Sequence, residues 1–248
     1  MKENKYDDNI FFDKYSNMDR SKKGLEAAGE WHELRKMMPS FQNKRVLDLG
    51  CGFGWHCRYA IENGAKSVIG IDISERMLNE ARNKTKSEQI KYTCMPIEDI
   101  DLPPNSFDVI ISSLALHYIQ SFEEILEKIN KCLSNGGDFV FSVEHPVFTA
   151  YGTQDWYYDI ERNPMHWPVD RYFIEGERKA IFLGEEVTKY HKTLTTYVNS
   201  LIKAGFKITG LVEPKPAEEL IHTIPGMVDE LRRPMMLIIS AKKGNDNF

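Results

Sequence analysis

Arg45-Val46-Leu47-Asp48-Leu49-Gly50-Cys51-Gly52-Phe53-Gly54 is the stretch whose reading decides the fold. Val46, Leu47 and Leu49 make an apolar run of strand length, and three glycines at alternate positions stop it where a helical pattern begins at Trp55. The spacing predicts a strand that feeds a tight turn into a helix. Glycine tolerates positive φ and carries no Cβ, so at Gly50, Gly52 and Gly54 a ligand can lie against the main chain, facing amides and the positive end of the helix dipole. A dinucleotide fingerprint is spaced G-x-G-x-x-G, whereas this loop reads Asp48-x-Gly50-x-Gly52-x-Gly54. A nicotinamide or flavin site and a glycine turn without a ligand are the competing readings.

Outward from this stretch, strands and helices alternate. Ser67 to Ile73, Ile90 to Cys94, Phe107 to Ser112 and Asp138 to Val143 read as the next four strands. Ser74 can cap a helix whose buried stripe is Met77, Leu78 and Ala81. Ser121-Phe122-Glu123-Glu124 has capping-box spacing ahead of an amphipathic helix with Phe122, Ile125, Leu126, Ile129 and Leu133, stopped by Gly136-Gly137. Five such alternations predict a doubly wound parallel sheet. Trp31, Leu34, Met37 and Met38 repeat at helical spacing up to Pro39, and residues 1–40 are expected to form a helical flap before the main domain, 41–248. Residues 144–190 break the pattern. They are rich in aromatic residues without a clean period, and we expect an insertion that caps the site. Thr193 to Ala204 reads as a helix burying Leu194, Tyr197, Val198, Leu201 and Ile202, followed by strands at Phe206 to Val212 and Met235 to Ala241.

The residues VLDLGCGFG resemble motif I of the class I S-adenosylmethionine (SAM) dependent methyltransferases, D/E-x-G-x-G-x-G, and match it at every defined position. LPPNSFDVIISSLALHY resembles a segment of the small-molecule branch of that family, the methyltransferase type 11-like branch. The resemblance implies an α/β, Rossmann-like fold with a seven-stranded sheet in the order 3-2-1-4-5-7-6, the last strand antiparallel. It also implies SAM as methyl donor and S-adenosylhomocysteine (SAH) as product, with no metal required. Asp72 follows Gly54 by 18 residues, a distance at which an acid reaches ribose hydroxyls across the strand ends.

Carried over residue by residue, the cofactor set is Arg20, Asp48, Gly50, Cys51, Gly52, Gly54, Asp72, Ile73, Met77, Ile97, Glu98, Ser112 and Leu114. Arg20 would meet the cofactor carboxylate. Pro96 stands where the family commonly has a polar reader of the adenine, which leaves the backbone of Ile97, with Glu98 nearby, for that contact. His117, His145 and His191 are the candidate proton acceptors, His117 first because it follows the fourth strand.

Composition sets the outer bounds. The 248 residues suit one large α/β domain, and a net charge of -5 provides no general attraction to nucleic acid or anionic membrane. No run of about 18 apolar residues appears, and the acids in MKENKYDDNIFF stand where a secretory signal has its apolar core, so a cytoplasmic protein is expected. Cys51, Cys57, Cys94 and Cys132 lack paired metal spacing and read as reduced thiols. Cys51 stands at a helix N-terminus, which can lower a thiol pKa, or simply fits a crowded turn. Ser112-Ser113-Leu114-Ala115 replaces the [D/N]-P-P-[Y/F] of enzymes that methylate amino groups of DNA and glutamine. The expected acceptor is therefore a small, partly apolar molecule and the expected assembly a monomer or homodimer. A SAM or SAH binder without turnover is the rival from another class, and a nicotinamide-dependent oxidoreductase is a third reading.

Overall fold

The structure, a computed structural model, describes residues 4–244; residues 1–3 of the expected flap lie outside the described residues. Three short α-helices come first: α1 (Asn9–Ser16), α2 (Asp19–Lys23) and α3 (Trp31–Met37). Asp8 starts α1 by accepting the amides of Ile10 and Phe11 on its side chain, which satisfies two otherwise orphan donors. Then follow β1 (Arg45–Leu49), α4 (Trp55–Glu62), β2 (Ser67–Asp72), α5 (Glu75–Lys84), β3 (Ile90–Cys94), β4 (Phe107–Ser113), α6 (Phe122–Cys132) and β5 (Leu133–Glu144). The remainder holds α7 (Pro146–Thr149), β6 (Tyr157–Tyr158), β7 (Pro164–His166), β8 (Gly176–Phe182), β9 (Glu185–His191), α8 (Leu194–Lys203), β10 (Phe206–Val212), α9 (Glu218–Thr223) and β11 (Met236–Lys243).

Seven strands form one sheet in the order β10-β11-β5-β4-β1-β2-β3. β11 runs antiparallel to both β5 and β10, and the other pairs are parallel. With the sheet strands alone numbered, this is the expected 3-2-1-4-5-7-6. Alternation along β1 shows why it lies at the centre. Leu47 and Leu49 pack with Phe122, Leu126 and Ile129 of α6 and Tyr197 of α8 on one face, while Val46 packs with Cys57 and Ala60 of α4 and Leu78 of α5 on the other. Each fully buried Val, Leu, Ile or Phe among them stabilises the fold by about 1.5–3 kcal/mol. No helix among the described residues is long and apolar enough to cross a membrane.

Four local expectations are corrected. Leu133 does not end α6 but begins β5, and Gly136, at φ 70°, bends that strand where its register against β4 shifts. Ser121 makes no side-chain cap, so the capping box it would form with Glu124 is absent; the neighbouring Glu123 carboxylate accepts from the Ser200 hydroxyl at 2.9 Å. Ile202 faces solvent on α8. The insertion also contains order that period reading missed. β8 and β9 pair as a hairpin turned by Leu183 and Gly184, both at positive φ. Its inward positions include Arg178 and Lys189, both buried, so the hydrophobic alternation that marks a strand is masked by charge.

This hairpin meets the N-terminal helices. Phe11 of α1 packs between Ala180 of β8 and Val187 of β9, with Tyr6 and Phe182 alongside. The loop ahead of the hairpin is fastened from behind by Arg233, whose guanidinium lies 3.9 Å from the Trp167 ring centroid and 4.7 Å from that of Phe148. The two rings stack on each other at 4.9 Å, and two hydrogen bonds to Glu230, at 2.7 and 3.0 Å, hold the guanidinium against them.

Candidate active site

The glycine loop leaves β1 already tied to β2. The Gly50 and Cys51 amides both donate to the Ile71 carbonyl, at 2.8 and 3.0 Å, the Gly52 amide donates to Asp72 Oδ2 at 2.8 Å, and the Gly54 amide donates to the Cys51 carbonyl at 2.8 Å. These amides are therefore not bare, as the glycine spacing had suggested. A phosphate cradle needs its amides free, whereas this loop uses them to hold its own shape. Gly50 is required by that shape. Its φ is 76°, and a Cβ there would stand 2.4 Å from the Ala115 Cβ.

Asp72 sits where loop and strand meet. Oδ2 accepts from Gly52 and Oδ1 from the Ser74 amide at 2.9 Å, so each oxygen keeps lone-pair capacity for a further donor. Burial pushes its pKa up to about 6 against the lowering effect of those amides. The N-terminal segment reaches the same place. The Ser74 hydroxyl donates to Asp7 Oδ1 at 2.5 Å and the Asn4 side chain to the Ile73 carbonyl at 3.2 Å.

From Gly50, Gly52 and Asp72 a cavity of about 930 Å³ runs to Glu144 and Lys189. At its far end the Lys189 ammonium donates to Glu144 Oε1 at 2.6 Å and to Gln154 Oε1 at 2.8 Å, and Gln154 Nε2 donates to Glu144 Oε2 at 2.7 Å. Opposite charge and these bonds hold the Glu144 pKa below its ordinary value despite burial. Next to this network, His117 Nδ1 accepts the Glu144 amide at 3.4 Å, which leaves the ring proton on Nε2. Burial pushes the His117 pKa down to about 4, so the ring is neutral at pH 7. Tyr6 of the flap and Tyr118 bring their hydroxyls to 3.5 Å in the same wall.

The residues expected from sequence separate into three groups. Arg20, Gly50, Gly52, Asp72, Ile73, Met77, Ile97, Glu98, Leu114 and His117 line the cavity. Arg20 also pairs with buried Glu30 at 3.3 Å. Asp48, Cys51, Gly54 and Ser112 are packed beneath or beside it. Asp48 accepts from the Cys57 thiol at 3.2 Å, and burial pushes its pKa up to about 7. Cys51 is buried and its pKa rises to about 11, so desolvation defeats the helix terminus. Ser112 donates to the Leu49 carbonyl at 2.8 Å, and it is the next residue, Ser113, that faces the cavity.

His145 and His191 lie elsewhere. His145 Nδ1 accepts the Val147 amide and caps α7, while Nε2 stands 2.7 Å from Glu213. His191 bonds Thr149 through Nδ1 at 2.8 Å and the Tyr172 carbonyl through Nε2 at 2.9 Å. With both ring nitrogens occupied, neither is free to take an acceptor's proton. Sequence reading missed Tyr6, Tyr118, Gln154, Glu144 and Lys189. The available signal was Glu144 at the carboxyl end of β5, the edge where α/β sheets bind ligands.

Crossed at its carboxyl edge by one cavity that opens from a glycine loop and a strand-end acid, a sheet of this order is that of the class I methyltransferases. Residues 47–141 match the family model described as a methyltransferase domain. The chain is similar to the crystal structure of a candidate SAM-dependent methyltransferase from Listeria monocytogenes, 60% identical with a TM-score of 0.85, covering 90% of this chain and 100% of that one. It is also similar to a SAM-dependent methyltransferase from Mesorhizobium loti, 43% identical with a TM-score of 0.82, covering 89% and 100%. The chain belongs to the class I SAM-dependent methyltransferases, and SAM is its methyl donor. An uncharacterized Haemophilus influenzae protein is 33% identical over 96% of both chains. Matches spanning less than half of the relative include a malonyl-[acyl-carrier protein] O-methyltransferase from Enterobacter lignolyticus, 34% identical over 44% of this chain, and a tRNA U34 carboxymethyltransferase from Hahella chejuensis, 28% identical over 64%.

Proposed function

We propose that this enzyme transfers the methyl group of SAM to a small, partly apolar acceptor bound between the flap and the β8–β9 hairpin. The observation that carries this reading is the continuous cavity of about 930 Å³, a size within the roughly 300–1,000 Å³ of small-molecule sites. In this reading Asp72 accepts the ribose hydroxyls, Ile97 and Glu98 flank the adenine with backbone amides, Arg20 faces the cofactor carboxylate, and Gly50 and Gly52 let the methionine part lie against the loop. The residues present suit such a ligand, because Asp72 keeps acceptor capacity and the loop offers no anion cradle to a cation. SAM brings an electrophilic methyl group, so the chain's task is to align the acceptor and exclude water. Residues 4–40 and 144–190 serve as the cover, consistent with Phe11 packed between Ala180 and Val187. A soluble cytoplasmic enzyme, monomeric or homodimeric, fits this reading.

The test is SAH release from SAM over a panel of small metabolites, run beside total tRNA and duplex DNA. Turnover with a small acceptor and none with either polymer supports the proposal. Methylation of tRNA with a steep salt dependence would defeat it, and would fit the partial likeness to a tRNA-modifying relative.

A further inference from the structure

The far end of the cavity has an unequal supply of hydrogen-bonding groups. Lys189 is only 3% exposed and has three N–H donors, of which two meet Glu144 and Gln154. His117, buried, presents Nε2–H because its Nδ1 is taken by the Glu144 amide. Tyr6 and Tyr118 share one hydroxyl proton between them, which leaves the other to donate. On the acceptor side, both Glu144 oxygens already receive bonds from Lys189 and Gln154. The other carboxylates of the lining stand apart from this cluster: Asp72 and Glu98 belong to the glycine-loop end, while Glu124 and Glu177 are exposed at the rim. Among the described residues this wall therefore offers several free donors and one carboxylate, Glu144, that already receives a bond on each oxygen and is held below its ordinary pKa by Lys189 and Gln154, which makes it a weak base.

That imbalance discriminates among nucleophiles. A neutral hydroxyl must lose a proton during transfer and an ammonium must lose one beforehand, and each benefits from a positioned base. A carboxylate needs none. Resting on the reading of the chain as a small-molecule methyltransferase, we propose that the acceptor is a carboxylic acid, held as its carboxylate by Lys189 Nζ and His117 Nε2–H and methylated on oxygen. A carboxylate lone pair forms the new O–CH₃ bond, the S–CH₃ bond breaks with its electron pair staying on sulfur, and no proton is released. Negative acid and positive sulfonium become a neutral ester and a neutral thioether, so charge balances without a base. The Glu144 carboxylate beside Lys189 keeps the empty wall neutral, and Phe148, Ile181, Phe182, Val187, Met235 and Met236 supply an apolar surface for the body of the acid.

The probes are octanoate and 3-phenylpropionate, each set against its primary amide, and octanoate also against octylamine. Binding to the SAH-loaded protein is measured by calorimetry, and products from SAM by mass. Each acid should bind at least about tenfold more tightly than its amide or amine, since a charge-assisted bond replaces a neutral one, and should yield its methyl ester. Lys189→Met alone strands the Glu144 charge and could unfold the chain, so the deciding variant is the charge-balanced Glu144→Gln/Lys189→Met. It should lose at least about tenfold in acid affinity with SAH affinity unchanged. Acid affinity intact in that variant, or an amide or amine bound as tightly as the acid, overturns the proposal. Methyl transfer to a small amine or alcohol would overturn it while sparing the small-molecule reading, whereas turnover on tRNA alone would defeat both.

Discussion

The two ends of the cavity are built in opposite ways. The glycine-loop end, proposed for SAM, is made largely by backbone: Gly50 to Gly54 close on Ile71 and Asp72 through main-chain amides. The far end, proposed for the acceptor, is made by side chains that are far apart in sequence. Tyr6, His117, Glu144, Gln154 and Lys189 come from the flap, the segment after β4, the end of β5, the insertion and β9. A site made of local backbone tolerates few residue types and so writes a motif. A site made of distant side chains can be assembled in many ways and writes none.

The largest effect should come from forcing a side chain into the backbone-built end. Gly50→Val places a β-branched residue at φ 76° with its Cβ 2.4 Å from the Ala115 Cβ. Strain of about 1–3 kcal/mol and overpacking of similar size should lower SAH affinity more than about 100-fold. Calorimetry on protein with native circular dichroism checks it, and retained affinity would show that the loop does not set the SAM end. Gly52→Ala, at φ 52° and with its Cβ meeting only the end of the Met77 side chain at 3.3 Å, keeps the backbone strain without the hard clash and should be milder.

Asp72→Ala comes next. Loss of a charge-assisted acceptor should weaken SAH binding by about 1.5–3 kcal/mol, roughly 10- to 150-fold. Because the Asp72 pKa is pushed up to about 6 in the ligand-free protein and ribose hydroxyls favour the charged form, wild-type SAH affinity should rise as pH passes upward through about 6. A flat pH profile, or full affinity in Asp72→Ala, would remove Asp72 from the SAM end.

Asp48→Asn tests a motif residue that the structure places under the loop. The folded pKa, about 7, lies above the ordinary 3.8, so the native state holds a proton that the unfolded state releases between these values. Its contribution to stability is greatest at low pH and is lost as pH rises through about 7. Asn should therefore raise stability at pH 8.5 by about 1–2 kcal/mol and change it little at pH 4; Asp72, whose pKa is also raised, leaves a residual slope of the same sign up to about 6. Urea unfolding at the two pH values measures it. SAH affinity should move less than about threefold, the size of a surface change; a larger loss would make Asp48 a direct ligand.

The smallest effect on turnover is expected at the histidines outside the cavity. His191→Ala breaks bonds to Thr149 and the Tyr172 carbonyl and should cost about 1–2 kcal/mol of stability, leaving kcat within about threefold of wild type. Stopped turnover in a folded variant would return His191 to the chemistry.

The strands, the glycine turn and the strand-end position of Asp72 were legible because each rests on a local rule: apolar runs for buried parallel strands, glycine for positive φ, an acid about 20 residues on at the next strand end; the strand order came from the resemblance to the methyltransferases. Ser112 was misplaced by one residue, because which face a strand residue occupies is set by register, and Ser113 rather than Ser112 points to the cavity. The β8–β9 hairpin stayed hidden because Arg178 and Lys189 occupy inward positions where period reading looks for apolar residues.

Sequence alone specifies a doubly wound sheet with a glycine turn after its first strand, since both follow from short-range preferences of the backbone; the resemblance of that turn to motif I is what pointed to SAM. The tertiary structure alone decided the charge and proton arrangement at the far end of the cavity. Buried Lys189 is tolerable only because chain packing brings Glu144 and Gln154 to it, and His117 carries its proton on Nε2 only because the Glu144 amide reaches Nδ1. Such pairings depend on segments up to 45 residues apart meeting in space, and no spacing within the sequence encodes them.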